Sequence, residues 1–258
     1  MSTLLNVYQD GVMILILNRP EVMNALSSEL AEVLAAAVVA ASERKDVRCI
    51  VIKGAGHKAF CAGTDLKERR GLDADQKWAQ SRKLWTLNEA LLASPMPVIA
   101  AIDGWCLGGG FELALYCDLR LATESSLFGW PEMTLGAYPG GGAAVMLPRL
   151  IGPSATKKML FATDRWTATE LAAIGLLNWS VPVASFEAKL AEVIEEIKRR
   201  SPLALSALKE VLAHTTEMTF EEAAQFDMSR RRPLEGTKDY LEGITAHFEK
   251  RRAVFTGE

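Results

Sequence analysis

Residues that build metal centres and disulfide frameworks are sparse in this chain. Its three histidines (His57, His214, His247) and four cysteines (Cys49, Cys61, Cys106, Cys117) are scattered over 258 residues and show no CxxC spacing. The expectation is therefore no metal and no structural disulfide. A surplus of one charge is missing too. A formal net charge of −3 leaves no global electrostatic footprint for nucleic acid. Short basic clusters do occur at Arg199-Arg200, Arg230 to Arg232 and Lys250 to Arg252, and they read as solvated faces, with an RNA-binding surface as the alternative. Long apolar runs are absent: VLAAAVVAA, at 33 to 41, is about half of what a bilayer-spanning helix requires. The amino terminus, MSTLLNVYQDG, carries neither a secretion signal nor an Arg-rich presequence pattern. A cytoplasmic protein without membrane segments is the expected setting.

Hydrophobic residues make up 49% of the chain and charged ones 24%, a composition that folds around a large core. Strand-like apolar runs occur at VMILIL (12 to 17), CIVIK (49 to 53), VIAAI (98 to 102) and LRLA (119 to 122). Between the first two, Leu30, Val33, Leu34, Ala37, Val38 and Ala41 repeat at amphipathic-helix spacing, with Ser27 or Ser28 placed to cap the start. This alternation predicts an α/β fold. Helices dominate the second half. TATE (167 to 170) and TFEE (219 to 222) read as capping boxes, Ser201-Pro202 as a helix start, and Phe186, Leu190, Val193, Ile194 and Ile197 as one helical face. The expected division is a mixed core over 1–197 and a helical region over 198–258.

Chemistry is concentrated in three stretches. In GWCLGGGFELALYCD (104 to 118), three glycines precede a helical pattern, leaving backbone N–H groups at a helix start that another group can approach. Anion binding and simple close packing both fit these glycines, but a Walker phosphate loop does not, for want of the following Lys-Ser or Lys-Thr pair. Glu112 sits there among apolar neighbours. It is either a solvent-facing charge or a desolvated carboxylate with a raised pKa. Glu132 follows twenty residues later in FGWPEMTLGAYPGGG, an irregular segment of the kind that walls active sites, though a surface charge reads equally well. In FCAGTDLKE (60 to 68), Gly63-Thr64-Asp65 offers a second free N–H, with Asp65 also read as a plain helix N-cap.

Taken together, LNRPEVMNALS (17 to 27), FCAGTDLKE, PVIAAIDGWCLGGGFELALYCD (97 to 118), FGWPEMTLGAYPGGG and EGITAHFEKR (242 to 251) resemble the enoyl-CoA hydratase/isomerase, or crotonase, family over nearly the whole chain. CAGTDLKER and TKDYLEGITAHFEKR look nearest to its methylglutaconyl-CoA hydratase branch. The resemblance implies a spiral of ββα turns followed by helices that mediate a homotrimer or a dimer of trimers. It implies an oxyanion hole from the N–H groups of Thr64 and Gly109, and Glu112 and Glu132 as the catalytic pair of a hydratase, with enoyl-CoA isomerisation or another acyl-CoA reaction as the alternative. Coenzyme A would be part of the substrate, with no separate cofactor. Its contacts carry over to Val22, Ala62, Asp65, Leu66, Lys67 and Lys250.

The chain departs from the family pattern at three places. No aromatic stands near Arg231, His247 replaces a common Phe, and Gly142-Ala143-Ala144 stands where Gly-Gly-Thr-Gln is frequent. A basic cluster at Arg230 to Arg232 offers itself to a CoA phosphate. Trp105, Trp130 and Tyr138 are candidates either to narrow the acyl pocket or simply to pack. One competing motif remains, GAGHKA (54 to 59), which fits G-x-G-x-x-A after a strand with Asp73 and Asp75 some twenty residues on. A nicotinamide site needs that turn to open a helix at once, and FCAG follows instead.

Overall fold

The structure, a computed structural model, describes residues 2–258. Strands β1 (Leu4–Gln9) and β2 (Val12–Leu17) form an antiparallel hairpin. Its two-residue turn is Asp10-Gly11, both at positive φ, the pair that suits a turn matching strand twist. Helix α1 (Ser28–Ser42) then crosses to β3 (Cys49–Gly54), which runs parallel to β2. The Ser27 side chain accepts from Leu30 N, which settles which serine caps α1. On α1 the buried face is Leu30, Ala31, Leu34, Ala35, Val38 and Ala41, while the expected Val33 is exposed. In a run this rich in alanine, apolar spacing alone does not distinguish neighbouring faces.

From β3 onward each turn of chain supplies one strand to each of two sheets. The turns are β3 and β4 (Ala59–Cys61), then α2 (Leu66–Arg70) and α3 (Ala74–Ala93); β5 (Val98–Ile102) and β6 (Trp105–Leu107), then α4 (Gly109–Leu115); and β7 (Leu119–Thr123) and β8 (Leu127–Gly129), then α5 (Pro131–Thr134) and α6 (Ala143–Ala162). The chain continues through β9 (Trp166–Thr167), α7 (Ala168–Ala173) and β10 (Trp179–Val181). The larger sheet has the order β1-β2-β3-β5-β7-β10 and the smaller β4-β6-β8-β9, so the chain advances as a spiral of ββα turns. Both faces of the large sheet are covered. Ile50, Ile52, Val98 and Ala100 face the main core, while Cys49, Val51, Ile99 and Ala101 pack against Phe186, Leu190, Val193 and Ile197 of α8 (Phe186–Lys198). Burial on both sides explains the unbroken apolar runs of these strands.

Three helices complete the chain: α9 (Pro202–His214), α10 (Phe220–Arg231) and α11 (Lys238–Phe248). Both capping boxes and the Ser201 cap are present. All four cysteines are free and buried. GAGHKA runs into β4 rather than a helix, and Asp73 caps α3, so no dinucleotide fingerprint exists there. Among the described residues no helix is long and apolar enough to cross a membrane.

Candidate active site

Strands β4 and β6 are parallel neighbours, pairing Cys61 with Cys106, so the loops that leave them emerge side by side. The first ends at Thr64 and the second at Gly109, which opens α4. A β-carbon on Gly109 would lie 3.2 Å from Thr64 Oγ1 and 3.4 Å from its backbone nitrogen, so the two loops pack closely at this glycine. Among the described residues the Thr64 N–H donates to no protein acceptor. Gly108 has a φ of +47°, and any side chain there would overlap the Glu132 carboxylate. The positive φ by itself favours glycine at this position.

Glu112 is in the first turn of α4 and is only 3% exposed. Its Oε1 accepts from Gly141 N at 2.8 Å and Ala143 N at 3.1 Å, which fixes the carboxyl against the glycine-rich loop. Burial pushes its pKa up from 4.5 to about 7; the Ala143 and Gly141 amides pull it down, and the neighbouring charge of Glu132 adds to the rise. Glu132 enters at the start of α5, directly after Pro131. Burial raises its pKa as well, against its own backbone and the Gly109 amide, which lower it. Its Oε2 is buried with no partner. Both carboxyl groups line one small cavity of about 100 Å³ together with Ala62, Thr64, Leu66 and Gly141. Two carboxyls with raised pKa values, an unpartnered oxygen and adjoining backbone donors are the parts of a proton-transfer site.

The family model for enoyl-CoA hydratase/isomerase matches residues 8–258 of this chain. The chain belongs to the enoyl-CoA hydratase/isomerase family. A crotonyl-CoA hydratase of Syntrophomonas wolfei is 35% identical over 258 residues, covering 96% of this chain and 95% of that one. An enoyl-CoA isomerase/hydratase of Mycosarcoma maydis is 33% identical, covering 96% of this chain and 93% of its own length. The crystal structure of an enoyl-CoA hydratase from Bacillus anthracis superposes with a TM-score of 0.97 at 37% identity, covering all of both chains. The spiral described above is thus the crotonase fold.

In this family member the other sequence-derived positions fall into two groups. Val22, in a 3-10 turn at Pro20–Val22, adjoins Ala62, because Ala62 N donates to Met23 O. Asp65 is the N-cap of α2: Oδ1 accepts from Lys67 N and Glu68 N, and Oδ2 pairs with Arg19 at 2.8 Å. Its side chain is fully engaged, which leaves only main chain there for a ligand. Leu66 and Lys67 are exposed beside it. Lys250 is separate: it lies exposed after α11 and forms no part of the cavity lining. Arg231 and His247 line a different hollow of about 550 Å³ among α9, α11 and the carboxyl-terminal tail, which contains neither glutamate.

Of the three aromatic candidates only Tyr138 lines the cavity that holds Glu112 and Glu132. Trp130 is buried and stacks on Phe111 at 4.8 Å, and Trp105 lies under Arg165. Ala143, one of the departures from the family pattern, still donates its amide to Glu112. Arg230 pairs with Glu210 and Arg231 with Glu235, so these cations are partnered within the chain. Sequence reasoning missed the contribution of α3. Trp85 Nε1 donates to Gly140 O and Asn88 Nδ2 to Gly141 O, holding the loop whose amides bind Glu112.

Proposed function

We propose that this protein is an enoyl-CoA hydratase, adding water across the 2,3 double bond of an enoyl-CoA thioester. The observation that carries the reading is the presence of two largely buried carboxyls, Glu112 and Glu132, in one cavity lining with Thr64, whose loop packs against Gly109. The thioester oxygen is held by those two N–H groups, which bind it more strongly as negative charge accumulates on it. Glu112, ionised, takes a proton from water as the water oxygen bonds to the β-carbon. Electrons move to the thioester oxygen as an enolate, and Glu132, protonated, delivers its proton to the α-carbon as the carbonyl re-forms. The pair holds one proton in the reacting form, and the step runs from the arrangement that has it on Glu132. No metal or separate cofactor enters these steps. Coenzyme A contacts are assigned to main chain at Val22, Ala62, Asp65, Leu66 and Lys67. The assembly is assigned as a homotrimer or a dimer of trimers, with Lys250 reaching the nucleotide from a neighbouring subunit.

The test uses crotonyl-CoA in isotopically labelled water. Hydration places label from water oxygen at the β-carbon and removes enoyl absorbance, whereas isomerisation leaves oxygen unlabelled. Glu112→Gln and Glu132→Gln are each expected to lower turnover by about a hundredfold or more, the usual scale for a lost acid-base group, while affinity for the thioester changes little. Full activity in both variants rejects the assignment.

A further inference from the structure

Gly140, Gly141 and Gly142 lie between Glu112 and α3, and each meets a side chain that is not part of the cavity lining. Gly140 O accepts from Trp85 Nε1 at 3.0 Å, and Gly141 O from Asn88 Nδ2 at 2.8 Å. A β-carbon on Gly142 would overlap Tyr116 Oη and come within 3.3 Å of the Trp85 ring, so both rings lie against this residue. Tyr116 is buried and meets the Trp85 ring edge-on, with centroids 6.2 Å apart, which holds the indole in place.

Trp85 and Asn88 reach different peptides. The Gly140 carbonyl and the Gly141 amide belong to one planar trans unit, whose C=O and N–H point in opposite directions. On one side Trp85 Nε1 donates to the oxygen; on the other the nitrogen donates to Glu112 Oε1 at 2.8 Å. A donor on the carbonyl draws electron density away from the nitrogen and makes its N–H the stronger donor. Indole, peptide and carboxylate thus form one chain of two hydrogen bonds that favours the ionised form of Glu112. Asn88 holds the next peptide, whose own amide, at Gly142, makes no hydrogen bond among the described residues.

No charged side chain duplicates this effect. The titratable and charged groups around Glu112 are Glu132 of α5, Tyr116 at the end of α4, Tyr138 of the loop after α5 and Arg69 of α2, while Arg149 of α6 acts on Tyr116. Of these only Glu132 shifts Glu112, and it does so in the same direction as burial. The Gly141 and Ala143 amides are what favour the carboxylate, and Trp85 stands behind the first.

We propose that Trp85 is a positioning residue for the hydration step: acting through the Gly140–Gly141 peptide, its indole N–H biases the one proton of the glutamate pair toward Glu132. The assignment rests on the hydratase reading of the pair given above and adds to it a residue outside the cavity.

Two replacements separate the hydrogen bond from the bulk of the ring. Trp85→Phe removes the N–H together with part of the ring, whereas β-(3-benzothienyl)alanine at position 85 exchanges the N–H for sulfur and removes the donor alone. Ionisation of Glu112 is followed by carbon-13 NMR in the full chain labelled at its glutamate carboxyls, with Glu112→Gln identifying the signal. In both proteins the midpoint is expected to move up from about 7 by roughly 0.3 to 1 pH unit, the scale of weakening one charge-assisted hydrogen bond. With fewer singly protonated pairs carrying the proton on Glu132, kcat is expected to fall about 2- to 10-fold with KM unchanged. An unmoved midpoint in the benzothienyl protein would overturn the proposal whether or not Trp85→Phe shifts, since the ring would then serve packing alone. Should Trp85→Phe fail to fold, the benzothienyl protein decides. Crotonyl-CoA hydration is measured in parallel. Its absence beside a shifted midpoint rejects the hydratase assignment and leaves the relay to Glu112 standing; its presence beside an unmoved midpoint rejects the role of Trp85 alone.

Discussion

Glu112 is held where an ionised carboxylate is unfavourable, and the cost has a definite sign. In the unfolded chain the group ionises near 4.5, but in the folded protein only near 7, so between these values the folded state binds more protons. Stability from this group therefore falls as pH rises from about 4.5 to 7 and stays reduced above that, by about 3 kcal/mol. Glu112→Gln keeps an acceptor for the Gly141 and Ala143 amides and removes the buried charge. The variant is expected to melt roughly 5 to 10 °C above the wild type at pH 8 and at nearly the same temperature at pH 4, as read by calorimetry. Turnover moves the other way, and in the wild type kcat/KM is expected to fall as pH rises through 7 and the pair loses its one proton. Part of this was legible in the sequence: the fifth residue of GGGFELALYCD has apolar neighbours, although the residues alone fit a solvent-facing charge as well. Glu132 was legible only through its pattern, since nothing in WPEMT itself turns that side chain inward.

The helix that most affects the site gave the weakest signal. Helix α3 has a polar sequence with no clean apolar stripe, and its buried residues include Gln80 and Asn88. It matters because of what it holds: Asn88 Nδ2 reaches Gly141 O at 2.8 Å, and Gly141 N in turn reaches Glu112. Asn88→Ala is expected to free this loop and weaken the Gly141 amide's grip on the carboxyl. Because that amide lowers the pKa of Glu112, its loss should move the basic limb of kcat/KM further above pH 7, with turnover down about tenfold. A fall in activity with an unmoved limb would show that Asn88 serves stability alone. The other missed elements have local causes. β4, β6 and β8 are three residues each, too short to show alternation. β1 has one buried residue followed by five exposed ones, the signature of a hairpin edge rather than of a half-buried strand. α4, by contrast, was expected from the helical pattern after its glycines, and its end is tied down nearby by Arg120 of β7, which donates to the carbonyls of Ala114 and Cys117.

At the scale of the molecule, the spiral supplies the two loops and the two glutamates, while α9 to α11 supply none of the residues lining the cavity. These helices are tied to the core through few polar groups. Lys209 bonds Asp118 and the carbonyls of Leu91 and Met96, and Arg48 bonds the carbonyls of Arg200 and Phe255. Their outward sides are strongly apolar: Leu212 is 72% exposed, Phe220 87% and Phe248 80%. Such side chains, set among ion pairs like Arg251–Glu242, are of the kind that the proposed trimer would cover. The proposed trimer makes this measurable. Light scattering of the purified chain is expected to give three or six times the protomer mass. Replacing Leu212 and Phe248 together by Glu is expected to shift that mass to the protomer, because each new charge would have to be desolvated for the subunits to meet. The spiral core should keep its near-ultraviolet circular dichroism in that variant, since neither side chain belongs to the two apolar clusters around the sheets. A wild type that stays monomeric across the concentrations used for assay would remove the trimer, and with it the reach of Lys250 into a neighbouring site.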